Sequence, residues 1–232
     1  MSKLKFAVLQ FPGSNCDRDC EYTISSVMGH EARLVWHEEH SLAGFDAVIV
    51  PGGFSYGDYL RSGAMAKLSP IVQELVKFTQ DQKKLTIGIC NGFQILTEAG
   101  LLPGVLLRNT NLNFICDTQY IVSASSAKTP FNSKVSGVIN APIAHFDGSY
   151  YIDEAGLEDL KKNDQIAFRY CDSSGNINNA ANPNGSVYNI AGVYNKQKNV
   201  LGMMPHPERN SEKTFGDATG KMIFDSIINF YN

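Results

Sequence analysis

The sequence predicts an α/β protein: an open, mostly parallel sheet covered by helices on both faces, with a mixed, β-rich second half. Three observations carry this. Short, wholly apolar runs alternate with helical segments through the first hundred residues. Those runs lack polar alternation, as strands buried on both faces do. Glycine turns follow the runs, at Gly13, at Gly52-Gly53 and, around a cysteine, at Gly88 and Gly92.

Phe6 to Leu9 is a buried strand ended by Pro12-Gly13. Asp17 to Met28 reads as a helix, with Ser14 or Asn15 as cap and Gly29 as stop. Ala32 to Trp36 and Ala47 to Val50 are the next strands, the latter closed by Pro51-Gly52-Gly53. Pro70 to Lys83 is an amphipathic helix: Ile71, Leu75 and Phe78 share one face, and proline suits the first turn. Leu85 to Ile89 is a fourth strand, and Asn91 to Ala99 is a helix stopped by Gly100.

The second half is less regular. Gly104 to Arg108, Phe114 to Val122, Val138 to Ala144, Gln165 to Tyr170, Ser186 to Val193 and Val200 to Met204 read as strands. Asn182-Pro183-Asn184-Gly185 marks a turn, and Asp217 to Tyr231 a closing helix with Met222, Ile223, Ile227 and Phe230 on its apolar side. No repeat, low-complexity tract or linker interrupts the chain, so one domain over residues 1–232 is expected.

A formal net charge of −3 over 232 residues gives no global attraction to nucleic acid or to an anionic membrane. No stretch approaches the ~20 apolar residues that span a bilayer. The N-terminus carries no secretory pattern, and an odd count of five cysteines makes no disulfide framework. A reducing, cytoplasmic setting with free thiols is expected.

In a parallel sheet, function collects at the carboxyl ends of the strands. Gly13, Gly52-Gly53 and Cys90 all follow strand ends, so they share one rim. Cys90 lies in Gly88-Ile89-Cys90-Asn91-Gly92, a strand, a tight turn and a helix start. Small flanking residues suit a strained nucleophile elbow, and the helix N-terminus favours a thiolate. Far downstream, Pro205-His206-Pro207-Glu208 offers a base and, two residues on in extended backbone, a carboxylate on the same side to orient it. The backbone N–H groups of Gly53 and Asn91 could receive an oxyanion. Together these read as a thiol amidase.

The remaining candidates have plainer readings. A cysteine in apolar sequence is usually a small buried hydrophobe, and Cys16, Cys20, Cys116 and Cys171 are read so. His37-Glu38-Glu39-His40 lacks metalloprotease spacing and reads as a solvated loop, so no metal is expected. His145 is read first as a satisfied structural histidine. Gly13-Ser14-Asn15 is not a dinucleotide fingerprint, and no phosphate-binding Gly-Lys-Ser/Thr loop is present.

At Gly88 to Gln94, Pro51-Gly52-Gly53 and His206-Pro207-Glu208 the chain resembles the class I (triad) glutamine amidotransferases. Further blocks resemble, nearly end to end, the branch serving the fourth step of purine biosynthesis. They are Phe11 to Asp19, Gly52 to Ala64, Pro142 to His145, Asn182 to Ser186 and Gly202 to Arg209. One departure stands out: that branch continues Ala-His with a Gly-Glu-Gly-like run, whereas here Phe146-Asp147-Gly148 follows, so no role is carried over to these residues.

The resemblance implies a flavodoxin-like fold and an L-glutamine substrate. It implies Cys90 as the thioester-forming nucleophile, His206 as acid and base, and Glu208 as its orienter. Gly53 and Asn91 would form the oxyanion hole, with Gly52 and Gln94 binding substrate. It also implies that ammonia passes to a separate ATP-dependent synthetase subunit, often with a small third subunit. This chain would need no cofactor; ATP and magnesium would sit on the synthetase. The aromatic segment Phe54 to Ala64, with Tyr59 and Arg61, is the candidate docking loop. The rival readings are a glutaminase of another synthetase and a related cysteine hydrolase or peptidase.

Overall fold

A computed structural model describes residues 3–214 and 216–232. The first half follows the alternation in the sequence. β1 (Lys5–Gln10) leads to α1 (Asp17–Tyr22), which widens into a π-helical turn over Thr23–Val27. Then come β2 (Glu31–Trp36), β3 (Ala47–Val50), α2 (Pro70–Phe78), β4 (Leu85–Ile89) and α3 (Asn91–Glu98). Every residue of β3 and β4 is buried, so both faces of the sheet are covered there.

The second half contains β5 (Val105–Leu107), β6 (Ile115–Ser123), β7 (Val138–His145) and β8 (Ser149–Tyr151). It continues with α4 (Glu154–Lys162), β9 (Ile166–Cys171), β10 (Ile190–Tyr194), β11 (Val200–Met203) and α5 (Lys221–Phe230). Among the described residues, one nine-stranded sheet runs β2-β1-β3-β4-β11-β10-β9-β6-β7, and β5 pairs with β8 apart from it. β2, β1, β3, β4 and β11 are mutually parallel; β10, β9, β6 and β7 continue the sheet antiparallel.

Two elements are added and three expected bounds shift. β8 and α4 were not foreseen. The helix expected over 70–83 stops at Phe78, where Thr79 turns its hydroxyl back onto Val76 O and the chain enters a tight turn. The strand expected from Ser186 begins at Ile190, because Tyr188 and Asn189 take φ of 55° and 57°. The last helix begins at Lys221 rather than at Asp217.

Two features of the sheet position the site. β11 enters beside β4, with Met203 opposite Ile89, so the segment after β11 emerges next to the segment after β4. β7 ends the hydrogen-bonding order, yet Pro142 O accepts the His206 N–H at 2.8 Å. The antiparallel half therefore curls back over the carboxyl ends of the parallel strands. Among the described residues no helix is long and apolar enough to cross a membrane.

Candidate active site

Cys90 occupies the turn between β4 and α3 at φ 51°, ψ −106°. A non-glycine residue held there costs of the order of 1–3 kcal/mol. The surroundings hold it: Cys90 N–H donates to Met203 O at 2.8 Å, and Cys90 O accepts from Phe93 and Gln94 N–H. The flanking glycines are required by close packing. A Cβ on Gly92 would lie 1.9 Å from Val50 O, and one on Gly88 2.7 Å from Gly92 O. The Cys90 thiol is almost buried and faces Ala144 O at 3.6 Å.

His206 and Glu208 follow β11, and both are buried. Glu208 Oε1 lies 2.7 Å from His206 Nδ1. Burial pushes the His206 pKa down, but the Glu208 charge and the neighbouring Cys90 and Cys16 thiols outweigh it. The imidazole therefore stands well above its usual pKa. His206 Nε2 has no protein partner among the described residues, so it is free for a thiol or a leaving group.

Cys90 and His206 meet on one small cavity of about 120 Å³, lined by Asn15, Cys16, Gly53, Phe54, Cys90, Phe114, Ala144, His206 and Arg209. Phe54 and Phe114, with ring centroids 6.4 Å apart, are both partly exposed and flank it. A larger cavity, about 660 Å³, lies elsewhere, beside Leu101, Leu102, Leu160 and Gln197, and neither a cysteine nor a histidine lines it. Chemistry therefore selects the smaller one.

Gly53 takes φ 146°, and an added Cβ would meet Asn15 N and Ser14 Cα at 2.8 Å. Gly52 has a different constraint: its Cβ would lie 2.6 Å from His206 Cε1, so the glycine makes room for the imidazole. Asn91 begins α3 directly after Cys90. Its side chain accepts Ser55 N–H at 3.1 Å and donates to Gln94 Oε1 at 2.9 Å.

Gln94 differs from expectation. It is not among the residues lining the Cys90 cavity, and its Nε2 donates to Asp147 O at 2.7 Å. Its amide thus joins Asn91 to the turn after β7. That turn is braced throughout: Ser62 donates to Asp147 Oδ2, and Asn109 Oδ1 accepts Gly148 N–H and faces His145 Nδ1. Asn184 Nδ2 donates to Gly148 O. Burial, and then the His206 charge, lower the His145 pKa to about 4, so it is neutral at physiological pH. The Asn109 contact makes Nδ1 the protonated nitrogen.

The candidate docking loop is held at its root and open at its tip. Tyr56, Asp58 and Leu60 all have positive φ. Tyr56 OH bonds His37 Nδ1 at 2.8 Å, so His37 supports this loop rather than lying in solvent. Arg61 pairs through two nitrogens with Glu98 at 2.6 and 2.7 Å, fastening the loop to α3, the helix that follows Cys90. Tyr59 and Leu60 are 77% and 88% exposed.

Cys16 is the residue that the sequence reading missed. Its thiol lines the cavity, donates to Asn15 Oδ1 at 3.1 Å and receives Arg209 Nη2 at 3.1 Å. The available signal was its position on the rim after β1, close behind Gly13.

The sequence matches the CobB/CobQ-like glutamine amidotransferase domain over residues 3–224. It is 52% identical over 226 residues to the phosphoribosylformylglycinamidine synthase subunit PurQ of Koribacter versatilis, covering 97% of each chain. It is 53% identical over 228 residues to the same subunit of Salinibacter ruber, covering 97% of this chain and 96% of that one. The fold superposes on a chain in the structure of PurLQS from Thermotoga maritima with a TM-score of 0.85, 40% identity and full coverage of both. A Thermotoga maritima glutamine amidotransferase at 14% identity and a TM-score of 0.57, covering 99% and 84%, shares the fold.

Proposed function

The chain belongs to the CobB/CobQ-like glutamine amidotransferase domain family, and from that membership we propose how its site works. It is the glutaminase subunit of a phosphoribosylformylglycinamidine synthase, a single domain over 1–232 that acts in the cytoplasm. It hydrolyses L-glutamine to glutamate and ammonia. The ammonia passes to the ATP-dependent synthetase subunit, which holds ATP and magnesium and converts formylglycinamide ribonucleotide to formylglycinamidine ribonucleotide. A small third subunit completes the complex, as the name PurLQS of the Thermotoga relative suggests.

The Cys90 thiolate adds to the glutamine side-chain carbonyl, and His206 holds the proton. The tetrahedral oxyanion is received by the Gly53 and Asn91 N–H groups, each contributing about 3–4 kcal/mol to the transition state. His206 gives the proton to the departing ammonia, leaving the glutamyl thioester on Cys90. It then takes a proton from water, which attacks the thioester and releases glutamate. Glu208 fixes the ring and sustains its positive charge. Gly52 lets the base approach, and Gln94 acts on substrate by positioning the turn at Asp147.

The observation that supports this most is the pairing of β4 with β11, which brings Cys90 and His206 onto one cavity. That cavity, about 120 Å³, admits a carboxamide side chain more readily than a peptide, which favours a glutaminase over a peptidase. The test is product formation by the reconstituted complex. Cys90→Ala is expected to abolish the glutamine-dependent rate and to keep the ammonia-dependent one. Glutamine-dependent turnover near wild type would overturn the reading.

A further inference from the structure

We propose that Cys16, His206 and Glu208 form an inhibitory site for a thiophilic divalent cation of the zinc type. One donor atom from each lies within 4.8 Å of the other two, and all three residues are buried. A second observation points the same way. His206 Nε2 and Glu208 Oε2 are buried without a hydrogen-bond partner among the described residues, in residues only 1% and 4% exposed. The set is one sulfur, one imidazole nitrogen and one carboxylate oxygen. Zinc takes such a set, whereas magnesium and calcium seek oxygen alone.

The geometry needs little adjustment. Zinc bonds of 2.0–2.3 Å place tetrahedral donors about 3.3–3.8 Å apart, a spacing inside the 4.8 Å that contains all three donors, so side-chain adjustments bring them onto one ion. Two cavities give access. Cys16 and His206 line the one at Cys90, and Glu208 borders a second of about 280 Å³ with Asp19, Tyr22, Arg209 and Ser211. Burial keeps the Cys16 thiol protonated. The cation displaces that proton to solvent, and the thiolate left behind is supported by Arg209 Nη2 at 3.1 Å.

Inhibition follows whichever ring nitrogen binds. A cation on Nε2 occupies the base itself. A cation on Nδ1 breaks the contact with Glu208 and leaves the proton on Nε2, which then cannot accept one from Cys90. The metal is therefore an antagonist of the triad, with no part in turnover.

The test uses the full chain and metal-free buffer. In a Cys90→Ala background, cobalt(II) is expected to give a thiolate-to-cobalt charge-transfer band at about one equivalent. Adding Cys16→Ser, which keeps the side-chain size, is expected to remove it. In the reconstituted complex, zinc inhibition of glutamine-dependent turnover is expected to weaken at least about tenfold in Cys16→Ser, relative to that variant's own uninhibited rate. A band that survives Cys16→Ser, or unchanged zinc sensitivity, overturns the proposal. The cobalt measurement does not depend on the glutaminase reading, so the two can fail separately.

Discussion

His206 and His145 lie close enough for their charges to interact, and their environments drive them in opposite directions. The buried Glu208 carboxylate holds the His206 pKa well above its usual value despite burial. Glu208→Gln removes that support, so the basic limb of the glutaminase kcat/KM profile is expected to move to lower pH. The rate should fall about 10²–10⁴-fold, with His206→Ala falling further and the ammonia-dependent rate unchanged in both. An unmoved basic limb would show that Glu208 does not act through the ring. The linkage to stability also differs in sign. His206, raised, stabilises the fold fully below about pH 6.5 and loses that contribution as pH rises through its folded value. His145, lowered to about 4, does the reverse: the unfolded chain binds the extra proton between pH 6.5 and about 4. Stability should drop through that window by up to about 3 kcal/mol. In His145→Gln that component should vanish, so the gap in Tm between variant and wild type should narrow on acidification. A constant gap would mean that His145 is charged in the fold.

Among the elements, the elbow shows most directly how the sequence sets the site. α3 lies so close to β3 that Gly92 has no room for a methyl group against Val50 O. Gly92→Ala must push helix and strand apart. It is expected to cost at least the 1–3 kcal/mol typical of overpacking, read as a lower Tm, and to displace Cys90. A variant as stable and as active as wild type would contradict the packing described. The elbow was legible because such turns need small residues at fixed offsets. α4 was not, because its signal is thin. Only Leu160 is fully buried, Gly156 lowers the helical propensity, and the start rests on one cap, Asp153 Oδ1 accepting Gly156 N–H at 2.8 Å. β8, three residues that among the described residues pair only with β5, carries too short a pattern to stand out in the sequence, whereas β5 falls within the strand read over Gly104 to Arg108.

Across the whole molecule, the parallel half and the convergence of Cys90 with His206 and Glu208 were legible, because apolar runs and motifs with fixed offsets are local. The return of β7 to His206 was not, since curling of a sheet leaves no periodicity in sequence. The places of Cys16 and Gln94 were lost for the same reason: each depends on partners brought in by other strands. The same long-range architecture links the candidate docking loop to the Cys90 cavity. Ser55 N–H is held by the Asn91 side chain, Arg61 by Glu98, and Ser62 by Asp147, while Tyr59 and Leu60 project outward. Force on the tip therefore reaches the start of α3 and the turn that Gln94 holds. The partner synthetase, with nucleotide and acceptor substrate, is expected to raise glutaminase turnover at least tenfold, within the ~10²–10³ that one oxyanion donor controls. Because Tyr59 makes none of the anchoring bonds, Tyr59→Ala should blunt the rise and leave the basal rate unchanged. Arg61 does anchor the loop, so Arg61→Ala should loosen it and lower basal turnover as well, with a small loss of stability, about 1 kcal/mol or less for an exposed pair. Glutaminase assays of the three proteins, alone and with the synthetase, separate these outcomes. Full activity of the isolated chain, or a Tyr59→Ala variant stimulated like wild type, would remove the loop from the route of activation.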